Sequence, residues 1–278
     1  MVRIRFVKGH GLGNSFLVIE SDALSASITP AIAQRLCSAA QYGVDGILVV
    51  GGGAPPYMHI FNSDGSTPEM CGNGVRVVAQ YLVNHKAAPD GFIIDTPAGK
   101  KTVTVRCDSA ETAWVSVDMG LAEFLDPHES SPHRLKVASS AQQWEVSGYR
   151  VSMGNPHFIV LPVDDEPVVD RVLRLGPLLE VHADFPDRTN VECIRLNSDG
   201  SVEVAVWERG CGFTQACGTG ACAAIAVASR LGWTPFDQPV IARLPGGDLE
   251  IEVRQSNFGL RMTGPSVEVE QGWLELEI

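Results

Sequence analysis

The sequence lacks several features that define common protein classes. Its 278 residues include 21 Lys and Arg against 33 Asp and Glu, too few basic residues for a protein that binds nucleic acid or an anionic membrane. No segment approaches the roughly 18 consecutive apolar residues of a membrane span. The first residues, MVRIRFVKGHGLGNSF, hold no apolar stretch like that of a secretory signal. We therefore expect a cytoplasmic protein that acts on a small molecule.

Cysteine is present, but not in the patterns of a disulfide framework or a metal site. The chain has seven cysteines, an odd number, and no C-x-x-C pair. We expect most of them to be reduced and buried, because free cysteine is among the most buried residue types. No motif for a metal, nicotinamide, flavin or pyridoxal group is visible, so we predict no cofactor.

One phrase occurs twice in the chain. CGNGVRVVAQYLV begins at Cys71 and CGTGACAAIAVAS begins at Cys217, 146 residues later. The flanking segments repeat as well: GNSFLVI resembles GNPHFIVL, 141 residues later, and Asn62 and Glu208 each lie nine residues before a repeated cysteine. Self-similarity at half the chain length indicates a duplicated unit that folds twice.

The pattern of apolar residues predicts how each half folds. Short β-rich runs bounded by turn residues predict strands at 16–19, 47–50, 101–106, 114–118, 158–161, 193–196, 202–207 and 249–253. The runs at 75–83 and 221–231 are apolar almost all round, which predicts two helices buried on every side. We expect a mixed α/β (α+β) fold of two pseudo-symmetric strand-rich domains, each a barrel-like sheet wrapped around a central helix.

The repeat also predicts the domain boundaries. We place the first domain at residues 1–118 and the second at 119–264, with a crossing region at 120–132. The end of the chain, from residue 265, is expected to return to the first domain as an edge strand.

Each repeated cysteine immediately precedes a Gly-x-Gly turn that opens a helix. A sulfur at a helix N-terminus faces unpaired N–H groups and a positive dipole end, which we expect to lower the thiol pKa. The glycines would let a substrate carboxylate approach the same N–H groups. Two such sulfurs facing one carbon could remove a proton from one side and return one from the other, inverting the centre.

Several stretches together resemble the diaminopimelate epimerase family over nearly the whole chain: HGLGNSF, FNSDGSTPEMCGNGVR, GNPH, RTNVE and ERGCGFTQACGTGACAA. The resemblance implies a cofactor-independent enzyme that interconverts LL- and meso-diaminopimelate for lysine and peptidoglycan precursors. By the same resemblance, Cys71 and Cys217 are the base and the acid, and His157 and Glu208 tune their pKa values.

The resemblance further implies how the substrate is held. Its reacting carboxylate would lie on the backbone N–H groups of Gly72, Asn73, Gly218 and Thr219. Its distal amino-acid group would be bound by Asn14, Asn62, Asn155, Asn190, Glu208 and Arg209. A planar Arg fork pairs with a carboxylate, and amides offer both donors and acceptors to a zwitterion.

A few positions depart from the family pattern. Ser15 and Phe213 stand where the family commonly has acidic residues, and Asp45 and Gly46 have no assigned role. The resemblance implies a homodimer, although Glu270 stands where an aromatic residue often supports that dimer.

Three other functions fit the same cysteine pair. A racemase of another amino acid, of the proline or histidine type, could share the two-thiol design. A catalytically silent relative could bind an amino acid as a sensor, although a binding module gains nothing from a paired acid and base. A redox protein could use a disulfide between Cys71 and Cys217.

Overall fold

A computed structural model of the protein describes residues 2–23, 28–39, 42–126, 131–139, 142–163 and 165–276. The chain divides into two compact units. Unit 1 is Met1–Asp118 with Thr263–Ile278, and unit 2 is Met119–Met262. None of the helices in the described residues is long and apolar enough to cross a membrane.

Strands make up most of both units. They are β1 (Val2–Gly11), β2 (Asn14–Glu20), β3 (Gly46–Gly51), β4 (Tyr57–Asn62), β5 (Gly91–Thr96), β6 (Gly99–Cys107), β7 (Thr112–Leu121), β8 (Glu123–Phe124), β9 (His133–Ala138), β10 (Gln143–Ser152), β11 (Pro156–Val160), β12 (Asn190–Leu196), β13 (Val202–Glu208), β14 (Gly212–Thr214), β15 (Pro239–Leu244), β16 (Gly247–Val253) and β17 (Gly259–Leu276). The α-helices are α1 (Pro30–Ser38), α2 (Gly72–Lys86), α3 (Val168–Glu180) and α4 (Gly218–Arg230), and a short 3-10 turn spans Ser21–Ala23.

Unit 1 is a closed sheet around a helix. Antiparallel pairs join β17 to β1, β1 to β2, β3 to β4, β5 to β6 and β6 to β7, and parallel pairs join β2 to β3 and β4 to β5. The pairing of β7 with β17 closes the ring. Helix α2 contacts β1, β2, β3, β4 and β6, so it lies inside this barrel-like sheet.

Strands β2 and β3 are buried on both faces, which explains their continuous apolar sequences. Because side chains alternate along a strand, one set packs outward and the other inward. Leu17 and Ile47 belong to the outer core, which α1 covers. Leu48, one residue further, faces the first turn of α2.

Unit 2 repeats this pattern. Antiparallel pairs join β8 and β9 to β10, β10 to β11, β12 to β13, β13 to β14 and β15 to β16, and parallel pairs join β11 to β12 and β13 to β15. Helix α4 contacts β10, β11, β12, β13, β15 and β16, so the sheet wraps around it. Helix α3 covers the outer face through a core that includes Val172 and Leu179. The predicted mixed α/β fold of two strand-rich, barrel-like halves is confirmed.

The two predicted central helices are present and fully buried along most of their length. Every residue from Gly72 to Leu82 and from Gly218 to Ser229 is buried. All eight predicted strands lie in observed strands, with residue 161 falling one position beyond β11. The expected crossing region includes residues 127–130, which lie outside the described residues, as do residues 277 and 278 of the expected final strand.

The final strand is not an edge. The expectation of an edge strand is wrong, because β17 pairs with β1 on one side and β7 on the other. It therefore closes the sheet of unit 1 and leaves no edge there to protect.

Candidate active site

The repeated cysteines are the N-caps of the two central helices. Cys71 caps α2 and Cys217 caps α4, each with an extended backbone. The Gly74 N–H donates to the Cys71 sulfur at 3.3 Å. The Cys217 sulfur instead lies 3.4 Å from the Thr219 hydroxyl oxygen. Cys71 is partly exposed, whereas Cys217 is only 7% exposed.

The second glycine of each C-G-x-G phrase lets the helix approach a strand closely. A Cβ on Gly74 would lie 2.9 Å from Cδ2 of Leu48 on β3, and a Cβ on Gly220 would lie 2.5 Å from Oε1 of Glu192 on β12. Both helix starts therefore lie directly on the sheet. The first-turn N–H groups of an α-helix have no partner within the helix, so each start can bind a carboxylate.

In unit 1, a chain of amide contacts joins the helix start to the strands. Asn73 donates to Oδ1 of Asn14 at 3.2 Å, and Asn14 donates to Oδ2 of Asp45 at 3.1 Å. The same carboxylate oxygen accepts from the Ser15 N–H at 2.7 Å. Arg76, which is fully buried, donates to Oδ1 of Asn73 at 2.9 Å. The structure thus places two predicted binding residues, Asn14 and Asn73, beside the Cys71 helix.

Asn62 lies at the end of β4, opposite Gly46 of β3. Its side chain donates to the Ser66 hydroxyl at 2.9 Å, and its backbone forms a tight turn with the same residue. The Ser63 N–H next to it donates to the Asp45 carbonyl at 2.9 Å. Asn62 therefore shares the sheet end that holds Asn14, but its amide is bound within its own turn.

In unit 2, a buried histidine and glutamate lie beneath the start of α4. Nδ1 of His157 lies 2.7 Å from Oε1 of Glu192, and both side chains are 0% exposed. Nε2 of His157 lies 3.0 Å from Oδ1 of Asn155. Asn155 donates to the Thr219 hydroxyl oxygen at 3.4 Å. The structure therefore brings His157, Asn155 and Thr219 together with Cys217.

The remaining predicted residues of unit 2 lie at the same end of the sheet. Asn190 is opposite His157 in the pairing of β11 with β12, and its amide donates to the Pro156 carbonyl at 2.8 Å. Its Oδ1 accepts from the Arg209 backbone N–H at 2.9 Å. The Arg209 guanidinium is turned to the Asp187 carbonyl, at 3.0 Å.

Glu208 ends β13 and is held by a threonine. The Thr214 hydroxyl on β14 donates to its Oε1 at 2.6 Å. Burial, the largest cause, raises the pKa of the Cys217 thiol well above its ordinary value, the charge of Glu208 raises it further, and the Thr219 hydroxyl opposes them. The expectation that the helix terminus lowers this thiol pKa is therefore wrong for Cys217, because burial and the nearby charge of Glu208 raise that pKa.

Glu192 is the most enclosed acidic group of this cluster. Burial raises its pKa above the usual value, and the His157 ring opposes that rise in part. Its second oxygen, Oε2, has no hydrogen-bond partner among the described residues. A buried carboxyl oxygen without a partner is tolerated far better when the group is neutral.

Sequence reasoning missed three residues that hold the predicted ones in place. Asp45 had no assigned role, yet it positions Asn14, and Glu192 was noticed only as the last letter of RTNVE. A third, Glu180 on α3, holds the loop after β13: it accepts from the Gly210 N–H at 2.9 Å and from the Trp207 indole at 2.7 Å. An acidic residue within an apolar strand is a signal that could have identified Glu192.

The described residues include no cluster of three or more His, Cys, Asp or Glu side chains arranged as metal ligands. A cavity of about 330 Å³ lies in unit 2 against α3, and Trp144, Glu166 and Arg174 are among the residues that line it. None of the predicted site residues lines this cavity. In each unit the candidate site residues are therefore the start of the central helix and the polar side chains beside it.

Comparison with known proteins identifies the family of the chain. The family model for diaminopimelate epimerase matches residues 6–125 and 149–269. A diaminopimelate epimerase from Synechocystis sp. is 40% identical over 287 residues, covering 98% of this chain and 99% of that protein. One from Azotobacter vinelandii is also 40% identical, with the same coverage.

Solved structures share the fold at low sequence identity. A predicted epimerase from Pseudomonas aeruginosa has a TM-score of 0.70 at 16% identity, covering 99% of this chain and 100% of that one. A probable proline racemase from Agrobacterium radiobacter has a TM-score of 0.69 at 13% identity, covering 99% and 93%. At such identities the likeness concerns the fold alone, whereas the near-complete match at 40% identity and the family model show that this chain belongs to the diaminopimelate epimerase family.

Proposed function

We propose that the protein is a cofactor-independent isomerase that interconverts LL-2,6-diaminopimelate and meso-diaminopimelate in the cytoplasm. One observation carries this proposal: in a member of the family, the equivalent central helices of both units begin at a cysteine. One such cysteine could be a packing residue. Two at equivalent positions supply the acid and the base that inversion of a carbon centre requires.

In the proposed reaction, each unit contributes one sulfur to a single α-carbon. The thiolate of one cysteine takes the α-proton, and the thiol of the other gives its proton to the opposite face. The substrate carboxylate would rest on N–H groups of Gly72, Asn73, Gly218 and Thr219, which favour the negative charge that develops next to the α-carbon. The raised pKa of Cys217 suits the sulfur that begins as the proton donor.

After one turnover the proton has moved from Cys217 to Cys71, so the reverse reaction starts from the opposite protonation state. This exchange of roles makes the enzyme reversible without any other acid or base. His157 and Glu208 would tune the process from unit 2, the latter through its charge near Cys217.

The distal end of the substrate carries a second amino and carboxylate group that must not invert. We assign its recognition to Asn14, Asn62, Asn155, Asn190, Glu208 and Arg209. A shorter amino acid would leave these polar groups without partners, which is how such a site rejects it. The Arg209 guanidinium would turn from the Asp187 carbonyl to reach a carboxylate.

The decisive experiment follows LL-diaminopimelate in deuterium oxide with the purified protein. We expect formation of the meso isomer with one solvent deuteron at the inverted carbon. Proline, histidine and glutamate, tested alongside, should neither racemise nor exchange. Binding of LL-diaminopimelate without any exchange would contradict the proposal and favour a sensor, and turnover of proline would favour a racemase of another amino acid.

Two single variants test the two-base scheme itself. Cys71→Ala and Cys217→Ala should each keep the wild-type melting temperature within a few degrees and reduce epimerisation to background. A single variant that kept more than about a tenth of wild-type turnover would contradict a mechanism in which both sulfurs transfer protons. The homodimer stays a prediction, which sedimentation velocity can test.

A further inference from the structure

The two helix starts rest on different side chains at equivalent positions of the repeat. In unit 1, Phe16 of β2 pairs with Gly46 of β3. Leu48, two residues after Gly46 on β3, lies beneath Gly74. The side chains of Phe16 and Leu48 are apolar and buried.

In unit 2, the same positions hold His157, which pairs with Asn190, and Glu192, which lies beneath Gly220. The fold therefore accommodates an apolar pair here, and unit 2 carries a polar one instead.

A buried His–Glu pair stabilises a protein poorly. Moving charged or polar groups out of water costs more than most such pairs regain, and apolar replacements of similar size are often neutral or stabilising. In unit 2 the disadvantage is larger, because Oε2 of Glu192 has no partner among the described residues. Since unit 1 shows the apolar alternative, stability alone does not explain the pair.

The hydrogen bonds around the pair run in one direction. Oδ1 of Asn155 is an acceptor, so the Nε2 of His157 facing it at 3.0 Å carries the proton and donates. With Nε2 protonated in a neutral ring, Nδ1 accepts, and its neighbour at 2.7 Å, Glu192, must supply the proton. Complete burial, the unpartnered Oε2 and the raised pKa of Glu192 all favour this neutral, protonated carboxyl.

The same direction continues to the sulfur. The Asn155 amide donates to the Thr219 hydroxyl oxygen at 3.4 Å, which leaves the hydroxyl proton for the Cys217 sulfur at 3.4 Å. We call this series the donor chain; its members, in order, are Glu192, His157, Asn155, Thr219 and Cys217. Every link donates toward the sulfur, so the last hydroxyl stabilises a thiolate there.

We propose that Glu192 is a positioning residue: it donates a hydrogen bond to Nδ1 of His157 and, through the donor chain, directs a hydroxyl proton at the Cys217 sulfur. The inference rests on the proposed function, because it concerns how one of the two sulfurs exchanges its proton. Glu192 itself lies below the helix and contacts the ring of His157, not the substrate. Its role is to fix the tautomer and orientation of that ring.

Three variants separate this role from alternatives. In Glu192→Gln the amide N–H can replace the carboxyl proton, so kcat should stay within about threefold of wild type. In Glu192→Leu no donor remains, and kcat should fall on the order of 100-fold, the range of a lost acid–base contribution. KM should change less than about threefold in both, since a group that never touches the substrate alters turnover rather than binding.

The third variant copies unit 1. His157→Phe combined with Glu192→Leu places the apolar pair of unit 1 under α4, so it should fold with a melting temperature equal to or above that of wild type. Its kcat should be as low as that of Glu192→Leu. Glu166→Gln is the matched control, because Glu166 pairs with Arg171 and Arg174 beside α3, outside the donor chain, and its kcat should equal that of wild type.

A second measurement reads the sulfur directly. The rate at which iodoacetamide alkylates Cys217, located by mass spectrometry in the tryptic peptide 210–230, follows the thiolate fraction. Glu208 on β13, and Glu192 and His157 through the chain, are the titratable groups that face this sulfur. Between pH 7 and 10, Glu192→Leu should react more slowly than wild type and Glu192→Gln at the wild-type rate.

Two results would overturn the inference. Faster alkylation in both single variants, with equal loss of kcat, would mean that Glu192 acts as an ionised carboxylate through its charge. Unchanged alkylation and kcat in Glu192→Leu, with only a lower melting temperature, would mean a purely structural role. Failure of the proposed function is distinguishable from both, since wild-type protein would then not epimerise diaminopimelate, while the alkylation rates would still report on the chain.

Discussion

At the scale of single residues, Cys217 shows how burial competes with a helix terminus. The dipole of a helix contributes about 0.3–1 kcal/mol near its end, less than one pKa unit in most settings. Desolvation can move a buried group by up to about 3–5 units. Cys217 is buried near the charge of Glu208, so the pKa of its thiol rises although it caps a helix.

This raised pKa predicts the pH dependence of turnover. In the proposed mechanism the active enzyme holds one proton on its two sulfurs, and the alkaline loss of activity marks the departure of that proton. Because the pKa of Cys217 lies well above its ordinary value, we expect kcat/KM to persist beyond about pH 9. The LL and meso substrates should give the same profile, because both reactions use the same singly protonated enzyme. A loss of activity between pH 7 and 8 would contradict this.

Glu208 should help to set that alkaline limit. Its negative charge raises the pKa of Cys217, so Glu208→Gln should move the alkaline limb to lower pH. Turnover at pH 7 should also fall, by about tenfold or more, if Glu208 tunes proton transfer as proposed. Glu203→Gln, on the same strand, is the control and should leave the limb in place. If the alkaline side of the pH profile is unchanged in Glu208→Gln, the charge of Glu208 does not raise the pKa of Cys217.

Asp45 should affect binding rather than proton transfer. Its Oδ2 accepts from both Asn14 and the Ser15 N–H, so Asp45→Ala releases a side chain proposed to hold the distal end of the substrate. Losing one or two such hydrogen bonds at about 0.5–1.5 kcal/mol each predicts a KM several-fold to tenfold higher, with little change in kcat. Steady-state kinetics beside Asp95→Ala, an exposed residue of β5, would check this. A fall in kcat at constant KM would contradict it.

At the scale of elements, the close approach of α2 and α4 to the sheet depends on single glycines. Replacing a helical glycine by alanine ordinarily gains about 0.8–1 kcal/mol. Here the new Cβ would lie 2.9 Å from Leu48 in unit 1 and 2.5 Å from Glu192 in unit 2, and such overpacking costs about 1–3 kcal/mol. The clash should outweigh the gain, more so in α4.

We therefore expect Gly220→Ala to lower the melting temperature by several degrees and Gly74→Ala by less. Gly91→Ala is the control, since its Cβ would lie 3.9 Å from the nearest atom, the Val103 carbonyl oxygen, and it should change little. Calorimetry of the three variants gives the ranking. A more stable Gly220→Ala variant would mean that the helix can shift away from β12 without cost.

The elements that sequence analysis found are those with one clear pattern. Helices α2 and α4 are apolar all round, and the cysteine with its two glycines marks their start. Helices α1 and α3 were missed for physical reasons: α1 buries only Ala33, Leu36 and Cys37, and α3 contains Pro177 and has no side-chain cap. Proline and weak capping argue against a helix until tertiary packing overrides them.

Some residues of the candidate site could be predicted from the sequence, and others could not. Residues beside the repeated cysteines could be predicted because local sequence places them at a helix start. The partners Asp45 and Glu192 could not, because their contacts arise from the register of β2 with β3 and of β11 with β12. Strand register joins residues far apart in the chain, and local sequence patterns do not show which strands pair or in which register.

At the scale of the whole molecule, the internal repeat allows equivalent positions of the two units to be compared. The strand pairs of unit 1 and unit 2 follow the same order of parallel and antiparallel contacts, so a residue in one half has a definite counterpart in the other. Two counterpart pairs beside the helix starts differ in polarity: Phe16 against His157 and Leu48 against Glu192. The polar pair therefore lies only beside the Cys217 helix start. Two sulfurs in unlike surroundings can hold unlike protonation states, and the proposed mechanism requires that one sulfur is protonated while the other is not.

If both sulfurs act on one carbon, mild oxidation should link them when no substrate is bound. Copper phenanthroline should inactivate the protein, and a reductant should restore it. Mass spectrometry should show a peptide pair joined through Cys71 and Cys217. Cys71→Ser and Cys217→Ser should each prevent the link, whereas Cys211→Ser, which removes the exposed cysteine of the neighbouring loop, should not.

The disulfide would be an inactive state, because it consumes the thiolate and the thiol that the reaction needs together. Its geometry is restrictive, with Cα atoms about 4.4–6.8 Å apart, so its formation demands that the two helix starts approach one another. Excess diaminopimelate should therefore slow the loss of activity by occupying the space between the sulfurs. Inactivation without a link between residues 71 and 217, or a link that leaves turnover intact, would contradict the assignment of both sulfurs to one reacting carbon.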